Sequence, residues 1–124
     1  MREIKFRVWD KVNGEMIPWN RLLNGYNLRN VFMRPEMCGL ILMQYTGLKD
    51  KNGVEICEGD IVETVYNGEV FVGVVVYDLN EVDFKVTDGK EKYGRNFQYL
   101  AGNDENEVIG NIYENPELLE SKKD

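Results

Sequence analysis

The chain has 124 residues, 43% hydrophobic and 30% charged, with a formal net charge of −7. That length makes one domain, or one domain with a small companion, and removes roughly two thirds of the unfolded surface from water. No apolar run approaches the ~20 residues that span a bilayer, the lack of histidine excludes Ser-His-Asp and Cys-His catalysis, and two cysteines alone cannot build a three- or four-thiolate metal site.

The opening MREIKFRVWD alternates charged and apolar residues, unlike a signal peptide. Ile4, Phe6 and Val8 share one face and Glu3, Lys5 and Arg7 the other, which predicts a half-buried strand over residues 2 to 9. Asn13-Gly14 tolerates the positive φ angles of a tight turn, so Met16 and Ile17 pair back onto that strand. Asn24-Gly25 has weak flanks, and residues 18 to 30 read as a loop or short irregular element. Val31, Phe32 and Met33 read as a short strand that Pro35 ends, because proline donates no ladder hydrogen bond.

LILMQYT, residues 40 to 46, reads as a buried strand. A turn at Asp50 to Gly53 leads to Val54 and Ile56, then to a corner at Glu58-Gly59-Asp60. IVETVY and EVFVGVVVYD flank Asn67-Gly68, the clearest hairpin signal in the chain. The second of these is apolar on both faces, as a central strand is, and Gly73 in its middle marks a bulge or sharp coil. VDFKVT, NFQYL and EVIGNIY supply further strands. In ENPELLESKKD, Asn115 suits a helix N-cap, Pro116 the first helical position, and Leu118 and Leu119 dock a short helix.

Charge is divided unevenly. Residues 1–45 hold seven Lys/Arg against four Asp/Glu, net +3, and residues 46–124 hold eight against eighteen, net −10. The acidic part repels phosphate backbones. Such a division suits a solvated surface or charge-guided docking onto a partner or a second subunit. Cys38 and Cys57 are widely spaced and outside any CxxC, so they read as reduced thiols.

Three stretches invite a chemical reading. In TGLKDKNGVEICEGDIV, residues 46 to 62, Asp50, Asn52 and Gly53 superficially match a calcium loop. Setting Gly53 at the sixth position puts Leu48 first and Gly59 twelfth, where oxygen ligands belong, so the EF-hand reading fails. Glu58 and Asp60 are a candidate acid–base or divalent-metal pair; against that, Gly59 suits a backbone conformation other residues avoid, and Asp60 suits bonding to nearby N–H groups. In DGKEKYGRNFQYL, Lys90, Lys92, Tyr93 and Arg95 interleave cations with aromatic rings, as a single-stranded nucleic-acid face requires. The plainer reading is a hairpin loop feeding a strand with Phe97 and Tyr99 in the core, which the acidic surroundings favour. The stretch from Asp104 to Glu120 is strongly acidic and suits either a solvated face or a basic partner.

MREIKFRVWD, LMQYTGLKDKNGVEICEGDIV and EVIGNIYENPELL, in this order and spacing, resemble the YopX family of phage and prophage proteins. Gly47, Leu48, Asp50, Gly53, Glu58, Gly59 and Asp60 carry the middle motif; Cys57 departs from the aromatic residue common there, and residues 11 to 39 are the least family-like. The resemblance implies a mainly β protein with a small SH3-like barrel, in the cytoplasm of a bacterial host, and implies no catalytic residue. The expected fold is therefore mainly β. Residues 1–39 form an N-terminal β segment packed on an SH3-like barrel of residues 40–124, which a short C-terminal helix closes. No cofactor, catalytic residue, metal ligand or membrane contact is expected. The expected role is a non-enzymatic module binding a protein partner or a second copy, with a nucleic-acid-binding barrel and a carboxylate-based metal enzyme as alternatives.

Overall fold

A computed structural model describes residues 3–88 and 97–120, which divide into two compact units, residues 1–45 and 46–124. In the first unit, the alternating opening forms β1, Phe6–Asp10, with Val8 fully buried. β2, Glu15–Ile17, pairs antiparallel with it, Val8 opposite Ile17. The Asn13-Gly14 turn is longer than a two-residue hairpin. Asp10 accepts the N–H groups of Val12 (2.9 Å) and Asn13 (3.1 Å), and the Gly14 N–H closes onto the Asp10 carbonyl (2.8 Å). β3, Leu40–Lys49, lies on the other side of β1, with Phe6 opposite Gln44 and Asp10 opposite Leu40.

The stretch between β2 and β3 differs from the expected loop and short strand: it is helical. α1, Trp19–Gly25, buries Leu22, and α2, Leu28–Met33, buries Val31. Asn27 starts α2 by accepting the Asn30 N–H at 3.3 Å, and this side-chain cap outweighs the modest strand preference of Val31-Phe32-Met33. Phe32 packs edge-on against Phe6 with ring centroids 4.9 Å apart, and both rings meet Trp19. Pro35 opens a 3-10 turn, Pro35–Cys38, instead of ending a strand. Val8, Ile17, Leu22, Val31 and Leu40 make the core of this unit.

The second unit begins with the end of β3 and with β4 (Glu55–Cys57). A five-stranded antiparallel sheet follows, order β8-β7-β6-β5-β9, and curls into a half-barrel. Its strands are β5 (Asp60–Tyr66), β6 (Glu69–Asp78), β7 (Asp83–Thr87), β8 (Phe97–Tyr99) and β9 (Glu107–Asn111). Asn67 (φ 51°) and Gly68 (φ 78°) form the tight turn between β5 and β6, in register with Tyr66 opposite Glu69. β6 is the central strand, as its two apolar faces require, although Val70 and Tyr77 near its ends stay exposed.

The curl has two visible causes. A β-bulge shifts the β5–β9 register between Ile61 and Val62. At Gly73 the neighbouring strand comes so close that a Cβ would lie 2.5 Å from the Thr87 carbonyl oxygen. Ile56, Val62, Val75, Val86 and Leu100 form the core under the curl. The short C-terminal helix α3, Glu117–Glu120, follows β9 as expected. A Cβ at Gly110 would lie 2.6 Å from the Asn115 Oδ1 and 2.9 Å from a Leu118 methyl. Bare backbone at Gly110 thus makes room for the turn into that helix.

Candidate functional site

The corner at residues 46–62 is tied together by hydrogen bonds. The Thr46 hydroxyl donates to the Ile56 carbonyl at 2.8 Å and accepts the Leu48 N–H at 3.1 Å. Asp50, buried, accepts the N–H groups of Asn52 (2.8 Å) and Val54 (2.9 Å) on one oxygen and of Val108 (2.9 Å) on the other. Burial pushes its carboxyl up, but these three donors hold it below the ordinary carboxylate range. The Lys51 N–H donates to the Asn106 carbonyl (2.9 Å), and its ammonium pairs with Glu107 (3.5 Å). The motif thereby fastens the β3–β4 turn onto the start of β9, more than fifty residues away.

Gly59 takes φ +85°, a left-handed conformation that a side chain would strain. Its N–H donates to the Val75 carbonyl and its carbonyl accepts from the Ile112 N–H, both at 2.9 Å. Asp60, 2% exposed, accepts the Cys57 N–H at 2.8 Å. Glu58 is half-buried. Gly47 and Gly53 also have positive φ, and Leu48 packs against the second core. Cys38 is exposed, Cys57 is half-buried, and neither is in a disulfide.

Lys90, Lys92, Tyr93 and Arg95 lie outside the described residues. Phe97 and Tyr99 do not fill the core. They stand on the edge strand β8, half-buried and 51% exposed respectively. There they flank a residue that sequence reasoning passed over. Lys85 of β7 is 4% exposed, and its ammonium lies 5.2 Å from both ring centroids. Three carboxylates from the β6–β7 turn close around it: Asp78, Glu81 at 2.6 Å and Asp83 at 2.8 Å. Their oxygens lie within 4.8 Å of one another, close enough to share a single cation, and the Lys85 ammonium occupies that position. Burial lowers the Lys85 pKa, but the three carboxylates more than offset this and raise it well above its ordinary value. The same contact lowers Asp78, and Glu81 is lowered by Lys85 and by the Tyr99 hydroxyl, which donates to it at 3.1 Å.

The turn that supplies these carboxylates is strained and apolar. Leu79 is 82% exposed and Val82 69% exposed. Val82 has φ +58°, a conformation that costs a β-branched residue on the order of 1–2 kcal/mol. The Val82 N–H donates to the Asp78 carbonyl (2.7 Å), and Asp78 Oδ1 accepts the Asn80 N–H (2.8 Å). Two apolar residues at turn positions with no core to fill were the available signal in DLNEVD. The lysine gave none, since Lys85 alternates along its strand like any solvated residue.

The acidic C-terminal stretch is partly internal. Asn106 is buried and donates to the Leu100 carbonyl, and Glu114 accepts the Asn111 amide at 2.7 Å. In the first unit, a cleft of about 260 Å³ is lined by Tyr26, Asn30, Val31, Cys38 and Leu40 beside Asp10. The carboxylate of Asp10 is already engaged by Val12 and Asn13.

The family model for the YopX protein matches residues 5–120. The chain belongs to the YopX family. Two solved structures are similar to this YopX-family chain over nearly their full lengths. Protein EF1440 from Enterococcus faecalis is 27% identical, with a TM-score of 0.55, covering 96% of this chain and 99% of its own. Protein yopX from Bacillus subtilis is 23% identical, with a TM-score of 0.51, covering 96% of this chain and 97% of its own. A search of curated proteins finds no match. No described helix of the YopX-family chain is long and apolar enough to cross a membrane.

Proposed function

We propose that this YopX-family protein is a non-enzymatic protein-interaction module and that the β6–β7 end of its half-barrel is the binding surface. The observation that carries this reading is the turn at residues 79–82. It accepts backbone strain at Val82 while leaving Val82 and Leu79 in solvent. Strain of this kind is retained where the surroundings hold it for a purpose, and exposed apolar side chains beside aromatic ones mark contact surfaces. The corner at 46–62 serves this surface indirectly. Its carboxylates at Asp50 and Asp60 hold backbone N–H groups of Asn52, Cys57 and Val108, and the Gly59 N–H donates to Val75 of β6, one of the two strands that carry the turn.

We infer a bacterial cytoplasmic setting, in a cell carrying a phage or prophage. The family resemblance and the bacterial origin of both similar structures support it. The test of the interaction reading is site-specific photo-crosslinking in the bacterial cell. A photoreactive residue in place of Leu79 is expected to give a discrete adduct with a partner, and one in place of exposed Glu105 none. Adducts at Glu105 but none at Leu79 would overturn the reading.

A further inference from the structure

We propose that the β6–β7 end binds a cationic segment of a partner protein that also carries an apolar side chain, an inference that rests on the interaction reading above. Three carboxylates face one ammonium at this turn, so it keeps an excess charge of −2. Lys85 is sealed inside, whereas the side chains of Glu81 and Asp83 are still 54% and 37% exposed. Their outer lone pairs therefore face solvent and are open to a second cation.

The internal contact shows how that cation is held. An ammonium lies between carboxylate oxygens and the faces of Phe97 and Tyr99, and Tyr99 is 51% exposed. A partner lysine or arginine has the same combination available at the rim, through ionic hydrogen bonds and an aromatic face. Leu79 and Val82 supply the apolar neighbour that a bare polycation would leave uncovered. Because Lys85 already clamps all three carboxylates, little side-chain freedom is lost on docking. Phosphate-bearing ligands are repelled by the same carboxylates and by the −10 net charge of residues 46–124.

The experiment is an NMR titration of the full-length ¹⁵N-labelled protein with a synthetic peptide of alternating arginine and leucine. The control peptide has glutamate in place of arginine. The arginine peptide is expected to shift residues 77–83 and Tyr99 in a saturable manner. Binding should weaken several-fold when salt rises from about 50 to about 500 mM, because rim charges are screened. The Leu79→Ser/Val82→Asn double variant should weaken binding at least ~tenfold while its other resonances stay in place. Asparagine suits the left-handed backbone at position 82, so this variant should fold.

Absent shifts, equal response to the glutamate peptide, or undiminished binding by the variant would overturn the proposal. So would concentration-dependent sedimentation of the protein alone that the double variant abolishes, since the occupant would then be a second copy. An adduct formed from Leu79 with a partner, together with no response to the arginine peptide, would overturn the cationic-segment proposal and leave the interaction reading standing.

Discussion

Asp50 shows how much one carboxylate carries in this fold. It accepts three backbone N–H groups, one of them Val108, and is itself buried. Replacing it by alanine strands those donors, each costing about 1–3 kcal/mol if left unpaired inside. Asp50→Ala is expected to lower stability by about 2–4 kcal/mol in urea titration, allowing for partial rehydration. The pH dependence has a definite sign. Its carboxyl is held below the ordinary value of 3.8, so the unfolded chain binds its proton first as pH falls. The stabilisation is complete above about pH 5 and declines as the solution is acidified through the folded-state value. Asp50→Asn should flatten this acid limb in melting curves. Val82 is the opposite case, a residue at odds with its backbone (φ +58°). Val82→Asn is expected to stabilise the protein by about 0.5–1 kcal/mol, since asparagine accepts the left-handed region more readily.

At the scale of elements, the half-barrel depends on how closely β6 and β7 approach. Gly73→Ala would set a methyl group 2.5 Å from the Thr87 carbonyl oxygen, where relief requires backbone movement. A loss of about 1–3 kcal/mol is expected, read as a lower urea midpoint. The β6–β7 turn depends on Lys85. In Lys85→Met the carboxylates of Asp78, Glu81 and Asp83 face one another without their counter-ion. Mutual repulsion then raises their pKa values above those of the unfolded chain, so protonation favours the fold. The variant should melt at a higher temperature at pH 5 than at pH 7. The parent protein should not, because its Asp78 and Glu81 are shifted downward.

For the whole molecule, the division of charge bears on nucleic-acid binding. With net charge +3 over residues 1–45 and −10 over 46–124, the field around the acidic part opposes nucleic acid. A fluorescent single-stranded oligonucleotide should show no anisotropy change at physiological salt. Salt-dependent binding lost in Lys92→Glu/Arg95→Glu would instead favour the nucleic-acid alternative. The succession of strands along the chain from Leu40 onward was legible because tight-turn dipeptides and apolar runs are local signals. The helices α1 and α2 were not. Each is short and buries a single residue, Leu22 or Val31, so no helical period builds up, and the side-chain cap at Asn27 is a one-residue signal. The candidate surface was hidden for a related reason: Lys85, Asp78 and Tyr99 lie on three different strands and meet only through sheet register.

By itself, the sequence determined that the protein is mainly β, that Asn67-Gly68 closes a hairpin, that β6 is central and that residues 46–62 mark the family. These follow from neighbours along the chain: turn residues permit positive φ, and apolar alternation sets which face is buried. Only the tertiary structure decided that Asp50 reaches Val108, that Gly73 makes room for the Thr87 carbonyl, and that Lys85 is enclosed by three carboxylates and two rings. Those contacts join residues far apart in the chain or on neighbouring strands. They exist only once the curl of the sheet has brought the strands together.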